Sequence, residues 1–138
     1  AITVPLHHYS LNLEIAYDRK EEKTHGEGGQ IVGDVNGKNV LIIDDVISAG
    51  LSSKRAIEFV RKQNGNVSGI LVALDRMERG ESSDSENFKN TTDEIMAMTG
   101  VPVFSLADLS DLKNCGRIDS DNAKQIDLYI QKYGSYVK

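Results

Sequence analysis

Two adjacent aspartates and a turn of small residues mark the stretch VLIIDDVISAG, which runs from Val40 to Gly50. Asp44 and Asp45 directly follow an apolar run, and Ser–Ala–Gly follows them after two residues. A turn of small residues lets backbone N–H groups close around a phosphate, and the first turn of a following helix adds unpaired N–H donors. Carboxylates repel phosphate. Both features therefore fit one ligand only if it joins a phosphate to a hydroxyl-rich or cationic group.

A ribose 5-phosphate has this combination of groups. The turn would hold its phosphate, while the aspartates would accept hydrogen bonds from its hydroxyls, stabilise positive charge on the ring or bind magnesium. The alternative is that Asp44 and Asp45 only cap the next helix or turn the chain. The loop has neither the Gly–Lys–Ser/Thr ending of a Walker A motif nor the GxGxxG pattern of dinucleotide sites. The sequence favours a phosphosugar ligand.

The elements around this turn alternate between strands and helices. Apolar runs predict buried parallel strands at Val40–Ile43, Val67–Asp75 and Val101–Leu106. Gly65 and Gly100 are expected to end the helices that follow the first two strands. The predicted helices cover residues 53–65, 86–100, a short segment capped by Asp108, and 119–134, with core faces at Ala56, Ile57, Val60, Ala123, Ile126, Ile130 and Tyr133. This order predicts one α/β domain over residues 1–138.

The composition is that of one ordinary globular domain. The chain has 138 residues, of which 39% are hydrophobic and 27% charged, and its net charge of −5 argues against nucleic-acid binding. No apolar run reaches membrane-spanning length, so no membrane contact is predicted. The single cysteine, Cys115, is expected to be a reduced thiol, which favours a cytoplasmic protein. His7 and His8 have no third ligand at a suitable spacing, so no metal site made of side chains alone is predicted.

The segment from Ala16 to Lys38 has a different character. It holds five of the twelve glycines and many charges but no apolar periodicity. This pattern predicts a long mobile loop, and long loops in compact domains are often lids or binding loops. A lid is the first interpretation, although a charged run such as RKEEK is more often a solvated surface.

Three motifs, in this order along the chain, resemble one enzyme family. DRKEEKTHGEGG, from Asp18 to Gly29, resembles the catalytic lid of orotate phosphoribosyltransferase. VLIIDDVISAG is similar to the phosphoribosyl-diphosphate (PRPP) binding motif of type I phosphoribosyltransferases. LDRMERG, from Leu74 to Gly80, resembles the orotate-binding strand end. The resemblance implies the family's mostly parallel sheet flanked by helices, with a long mobile catalytic loop.

The resemblance also implies an activity and partners. The family transfers ribose 5-phosphate from PRPP to orotate in pyrimidine biosynthesis, giving orotidine monophosphate and pyrophosphate. Mg2+ accompanies the leaving pyrophosphate. Because the family's lid reaches into the neighbouring subunit's site, an active homodimer is implied.

Residue roles follow from matching positions to the family's motifs. The implied catalytic residues are Asp44, Asp45, Lys23 and His25. The implied PRPP-binding residues are Arg19, Lys20, Lys23, His25, Asp44, Asp45, Val46, Ile47, Ser48, Ala49, Gly50, Leu51 and Ser52. The implied orotate ligands are Ser48 and Arg76, the latter because a planar guanidinium suits a carboxylate. The alternative for Arg76 is an ion pair with Glu78 or Asp75.

Two departures from the family leave alternatives open. Leu51 stands where the family usually has threonine, so one hydroxyl contact is lost and weaker PRPP binding is expected. The family's pyrophosphate loop, an early strand and an N-terminal hood precede its lid, and this chain is expected to lack them. Without that strand, the sheet would be uncovered beside Val40–Ile43. The alternatives are a transferase for another base and a non-catalytic PRPP-binding regulator.

Overall fold

The computed structural model describes residues 13–18, 31–80 and 90–134 as two small sheets and four helices. The strands are β1 (Tyr17–Asp18), β2 (Ile31–Val32), β3 (Asn39–Ile47), β4 (Asn66–Asp75) and β5 (Val103–Asp108). The helices are α1 (Leu51–Lys62), α2 (Thr91–Thr99), α3 (Leu109–Asn114) and α4 (Ser120–Tyr133). Strands β3, β4 and β5 form a parallel sheet in that order. The predicted α/β fold with a parallel sheet is confirmed.

Strand β3 is longer than the apolar run that predicted it. It begins at Asn39 and ends at Ile47, so both aspartates lie within the strand. The parallel ladder explains this length, since Asp44 pairs with Val72 and Ile47 pairs with Asp75 of β4. The predicted strand end at Ile43 was therefore wrong. Pairing with a long central strand overrides the low strand propensity of aspartate.

The core lies on the face of the sheet that α1 and α2 cover. It contains Ile47 and Ile70 from the strands, Ile57 from α1 and Ile95 from α2, and each of these side chains is at most 1% exposed. Complete burial of such a side chain stabilises the fold by roughly 1.5–3 kcal/mol. The predicted core positions in α1 hold for Ile57 and Val60, whereas Ala56 is only half-buried.

The opposite face of the three-stranded sheet is open within the described part of the chain. Leu41 and Ile43 on β3, with Phe104 and Leu106 on β5, are exposed, and Leu106 is 75% exposed. A Cβ built on Gly69 of β4 would lie 3.5 Å from Phe104 Cε2 and 3.7 Å from Leu41 Cδ1, so these residues share one face. The predicted burial of the strand Val40–Ile43 is therefore wrong for Leu41 and Ile43.

The helix boundaries depend on their caps. α1 ends at Lys62, three residues before the predicted stop at Gly65, and Asn64 takes a positive φ of 58°. α2 begins at Thr91 because the Asn90 side chain accepts a hydrogen bond from Asp93 N at 2.7 Å. Gly100 ends α2 in the left-handed conformation, as predicted. The predicted start of this helix near residue 86 falls outside the described residues.

The C-terminal elements differ from prediction mainly in burial. β5 begins and ends two residues later than predicted. Asp108 caps the short helix α3, as predicted, and forms a capping box with Asp111. α4 covers nearly the predicted range, but none of its residues is fully buried. Ala123, Ile126 and Ile130 are half-buried and Tyr133 is exposed, so the predicted core face of this helix was wrong in degree.

The predicted N-terminal loop contains some regular structure. β1 pairs antiparallel with β2, with Tyr17 opposite Val32 and Asp18 opposite Ile31. Residues 19–30, between these strands, make up most of the predicted lid and lie outside the described part of the chain. No helix among residues 13–18, 31–80 and 90–134 is long and apolar enough to cross a membrane.

Candidate functional site

The turn after β3 forms the first part of the candidate site. Ser48 and Ala49 are half-buried, Gly50 is buried, and α1 begins at Leu51. Gly50 has φ +80°, and an added Cβ would lie 2.6 Å from Thr91 Cγ2. Only glycine meets both demands without strain, since it has no side chain and tolerates positive φ. The N-terminus of α2 therefore packs directly against the predicted phosphate turn.

The N-terminus of α1 differs from those of the other described helices. α2, α3 and α4 each begin with an Asn or Asp whose side chain accepts a backbone N–H, and each has an acidic residue in its first turn. α1 has neither a side-chain cap nor an acidic residue there. Its first N–H groups and the positive end of its dipole are thus free of carboxylates. This arrangement suits an anion such as a phosphate.

The two aspartates occupy opposite faces of β3. Side chains alternate along a strand, and Asp44 is half-buried while Asp45 is exposed. Asp44 Oδ1 accepts the N–H of Asp45 at 2.9 Å, and Asp45 Oδ1 accepts the N–H of Val46 at 2.8 Å. In each carboxylate the Oδ2 atom has further capacity to accept hydrogen bonds. Both carboxylates precede the turn, but they approach a ligand from different directions.

The segment 75–80, which we call the base loop, forms the second part of the site. Arg76 N donates to Ile47 O at 3.0 Å, and Asp75 pairs with Ile47 in the sheet. These contacts bring the start of the base loop to the end of β3, one residue before the turn at Ser48. Two of the three sequence motifs therefore meet at the carboxyl end of the sheet, where ligands bind in open α/β folds.

The guanidinium of Arg76 is held by an acidic and an aromatic residue. Arg76 Nε lies 3.2 Å from Glu78 Oε1, and Nη2 donates to the Tyr129 hydroxyl. The Arg76 Cζ atom lies 4.9 Å from the centroid of the Tyr129 ring, in cation–π range. Of the two ion pairs foreseen for Arg76, the one with Glu78 is present.

Asp75 instead interacts with the backbone of the base loop. Its Oδ1 accepts the N–H of Met77 at 2.7 Å, and Met77 has a positive φ of 56°, which is uncommon for a residue with a side chain. Burial raises the pKa of Asp75, and the nearby carboxylates of Asp108 and Glu78 raise it further against the opposing Met77 hydrogen bond. Asp75 thus shapes the turn that follows β4.

Sequence reasoning predicted helix α2 but did not show that this helix supports both parts of the site. Thr91, at the start of α2, contacts the position of Gly50 and donates its hydroxyl to Glu78 O at 3.1 Å. Glu94, one turn later, forms an ion pair with Lys54 of α1 and lies directly under Gly80. Asn90 as an N-cap was the available signal for this helix start. Nothing local in the sequence indicated its contacts.

Comparison with known proteins identifies the family to which this arrangement belongs. Residues 6–104 match the family described as the phosphoribosyl transferase domain. The chain belongs to the phosphoribosyl transferase family. This span of the phosphoribosyl transferase domain includes the phosphate turn, the base loop and α2.

The curated relatives of this phosphoribosyl transferase domain are longer than the chain. Orotate phosphoribosyltransferase from Metarhizium anisopliae is 41% identical over 96% of the chain and 61% of its own length. The enzyme of that name from Laribacter hongkongensis is 40% identical over 89% of the chain and 57% of its own length. The chain thus spans about three fifths of these proteins. They confirm the resemblance predicted from the motifs.

A solved structure agrees with the fold. Orotate phosphoribosyltransferase from Francisella tularensis superimposes with a TM-score of 0.69 at 29% identity, covering 96% of this chain and 62% of that one. UMP synthase from Leishmania donovani matches with a TM-score of 0.67 at 22% identity, which supports the fold alone. The predicted type I phosphoribosyltransferase-like fold is confirmed.

The predicted site residues of the phosphoribosyl transferase domain fall partly outside the described part of the chain. Arg19, Lys20, Lys23 and His25 lie outside the described residues, as do His7 and His8. Val46 is half-buried and Ile47 is 1% exposed, so their side chains belong to the sheet and core, and the Ile47 carbonyl accepts the N–H of Arg76. Leu51 and Ser52 are exposed at the start of α1. Within residues 13–18, 31–80 and 90–134, no three His, Cys, Asp or Glu side chains form a group that could hold a metal ion.

Proposed function

We propose that the protein to which this chain belongs is an orotate phosphoribosyltransferase. It transfers ribose 5-phosphate from PRPP to orotate and releases orotidine monophosphate and pyrophosphate. One observation carries the proposal: the hydrogen bond of 3.0 Å from Arg76 N to Ile47 O joins the base loop, which presents the Arg76 guanidinium, to the uncapped turn after β3. A substrate pair with a phosphate on one partner and a carboxylate on the other fits these two neighbouring sites.

The turn after β3 holds the 5-phosphate of PRPP. The backbone N–H groups from Ser48 to Ser52 and the dipole of α1 supply the donors, and Gly50 allows α2 to support the turn closely. Leu51 contributes an exposed side chain without a hydroxyl. The phosphate is therefore held mainly by backbone groups, and PRPP binds more weakly than it would with a hydroxyl at this position.

Asp44 and Asp45 act on the ribose. The reaction passes through a ring with oxocarbenium character, and a carboxylate beside it stabilises that charge. The Oδ1 atoms of both residues are oriented by backbone N–H groups, which leaves Oδ2 for the ribose hydroxyls. Asp44, on the helix-covered face, and Asp45, on the open face, reach different hydroxyls.

Arg76 binds the orotate carboxylate, with Ser48 nearby as a second ligand. Guanidinium and carboxylate form two parallel hydrogen bonds, which selects an acidic pyrimidine over a neutral base. The side chain of Arg76 is 39% exposed, so a ligand can reach it.

The lid completes the site. Pairing of β1 with β2 brings Tyr17–Asp18 beside Ile31–Val32, the residues that flank most of the lid segment in the sequence. Arg19, Lys20, Lys23 and His25 would neutralise the leaving pyrophosphate, and closure would exclude water. The lid acts on the neighbouring subunit of a homodimer in this proposal.

Magnesium is expected to bind through the diphosphate of PRPP. It prefers a few carboxylates together with substrate phosphates. When bound, the ion supplies charge neutralisation on the leaving group. Cys115 is exposed. A reduced thiol at this position and a cytoplasmic location are part of the proposal.

The deciding experiment follows orotate consumption by ultraviolet absorbance with PRPP and Mg2+. Activity that requires PRPP is expected, and Arg76→Ala should lower kcat/KM for orotate by roughly 10- to 100-fold, since a charged hydrogen-bond pair is lost. Arg61→Ala is the matched control, because Arg61 lies at the other end of α1 and bonds only to Thr99 O among described partners. Equal activity of Arg76→Ala and Arg61→Ala, or turnover of adenine but not orotate, would contradict the proposal.

A further inference from the structure

The end of helix α4 is attached to the base loop. Arg79 N donates to Tyr133 O at 2.9 Å, and Arg79 Nη2 donates to Lys132 O at 2.5 Å. Glu78 and Gly134 form an antiparallel bridge. The base loop is also tied to α2 on its other side through Thr91 N and Glu78 O, 3.1 Å apart. Two helices therefore hold this loop.

Arg76, Glu78 and Tyr129 form a closed triangle of interactions. Arg76 Nη2 donates to the Tyr129 hydroxyl, and that hydroxyl donates to Glu78 Oε1. Glu78 Oε1 also lies 3.2 Å from Arg76 Nε. The ring of Tyr129 supports the guanidinium at 4.9 Å and in turn packs on the Tyr133 ring, with centroids 4.9 Å apart. Each group limits the rotation of the other two.

The triangle occupies one edge of the guanidinium and leaves another edge for a ligand. A guanidinium has five N–H donors in one plane, and the contacts found here use Nε and Nη2, which share one edge. The end with both terminal nitrogens keeps donors for a carboxylate. The Arg76 side chain is 39% exposed, whereas the Glu78 side chain is 15% exposed, so the arginine faces outward from a covered support.

The protonation state of Tyr129 also favours this support of Arg76 by Glu78 and Tyr129. Burial raises the pKa of Tyr129, and the Glu78 carboxylate raises it further, against a smaller opposing effect of Arg76. The hydroxyl therefore stays protonated at neutral pH and continues to donate to Glu78. Met77, with φ 56°, separates Arg76 from Glu78 and takes the chain out of the path of β4. A support built this way orients a side chain before its ligand arrives, which lowers the entropy lost on binding.

We propose that Glu78 and Tyr129 are positioning residues that aim Arg76 at the carboxylate of the base and so set the preference for an acidic over a neutral pyrimidine. This inference rests on the proposed function. It assigns a role in substrate selection to helix α4, because Tyr129 of this helix contacts Arg76 although the two residues are 53 positions apart in the sequence.

The test compares Tyr129→Phe and Glu78→Gln with the parent chain in steady-state kinetics. Tyr129→Phe keeps the ring and removes only the hydroxyl, and Glu78→Gln keeps the shape and removes the charge. Each is expected to raise KM for orotate by about 5- to 20-fold while kcat and KM for PRPP stay within about twofold. Binding of uracil, which lacks the carboxylate, should be unchanged. Tyr133→Phe, one turn along α4, is the matched control and should behave as the parent.

A second measurement reports the triangle without turnover. The Arg76 Nε–H signal in a nitrogen-15 spectrum, assigned with Arg76→Lys, should exchange slowly in the parent and faster in both variants. Unchanged KM and unchanged exchange in both variants would overturn the inference, as would equal losses in kcat and in KM for PRPP. A parent chain that binds no orotate would overturn the proposed function itself. Orotate binding without any effect of the variants would overturn only the inference.

Discussion

The ammonium of Lys54 on α1 pairs with the carboxylate of Glu94 on α2, and only 5% of the Glu94 side chain is exposed. Lys54 lies in the first turn and a half of the helix that follows the phosphate turn. Glu94 lies under Gly80 at the end of the base loop. The ion pair therefore joins the supports of the two halves of the candidate site, so we expect a change in either residue to affect both halves.

Lys54→Met should destabilise the domain strongly. It removes the ammonium that pairs with the buried Glu94 carboxylate, and breaking a buried ion pair in this way costs about 3–5 kcal/mol. Urea unfolding of the variant and the parent measures the difference. The double variant Lys54→Met/Glu94→Met should recover part of the loss, since it removes both charges. Lys124→Met, which breaks an exposed pair with Asp121, is the control and should cost less than about 1 kcal/mol. Equal costs for Lys54→Met and Lys124→Met would refute the prediction.

Gly80→Ala should also be destabilising, for steric reasons. An added Cβ would overlap Glu94 Oε2 and lie 2.6 Å from Glu94 Cδ, and the ion pair with Lys54 restrains that carboxylate. Overpacking of this kind costs about 1–3 kcal/mol. Gly69→Ala is the matched substitution, because its Cβ would meet Phe104 and Pro102 at an ordinary 3.5 Å. Thermal unfolding should show a lower Tm for Gly80→Ala only; a similar fall in both would show that the contact with Glu94 is not the cause.

Gly50→Ala should weaken PRPP binding together with stability. The new side chain would be strained at φ +80° and would lie 2.6 Å from Thr91 Cγ2. Thr91 is buried, and its hydroxyl donates to Glu78 O, so it cannot easily move away. Gly100→Ala carries similar strain at φ +72° but no neighbour lies within 4 Å. The strain alone costs roughly 1–2 kcal/mol. Calorimetric titration with PRPP should detect weaker binding for Gly50→Ala and parent-like binding for Gly100→Ala; weaker binding in both would contradict a role for the turn's shape.

Asp75→Asn should stabilise the domain at neutral pH. The pKa of Asp75 is raised mainly by burial, so the folded state binds its proton more tightly than the unfolded state. The native state is therefore penalised above the folded pKa, and this penalty disappears as the pH falls below the unfolded pKa near 3.8. Urea unfolding between pH 4 and 8 should show a gain for Asp75→Asn that shrinks on acidification.

Asp119→Asn is the control, because this substitution should lower the stability of the domain at neutral pH instead of raising it. Hydrogen bonds from the N–H groups of Asn122 and Asp121 lower the pKa of the exposed Asp119 carboxyl. The free energy of unfolding of the parent should exceed that of Asp119→Asn by its full amount above pH 3.8. This difference should fade as the pH drops through the lowered pKa of Asp119. The same pH trend for both variants would indicate that acid acts through other groups.

The order of elements and the turn between β3 and α1 could be predicted because their signals are local. Apolar runs marked the three parallel strands, and Asp108 and Gly100 marked helix ends within one turn of the residues that they cap. The end of β3 was missed, because pairing of Ile47 with Asp75 on a neighbouring strand extends it beyond the apolar run. Likewise, the burial of α4 was overestimated, since spacing shows that a face exists but not what covers it.

The sequence by itself determined the fold class, the family and the two motifs that meet at the end of the sheet. Only the tertiary structure decided the partners of Arg76, because Tyr129 lies 53 residues away in the chain and its helix carries no local mark of that contact. The same holds for Lys54 and Glu94, which are 40 residues apart. Backbone propensities and caps act within a few residues, whereas the orientation of a binding side chain depends on packing between segments that only folding brings together.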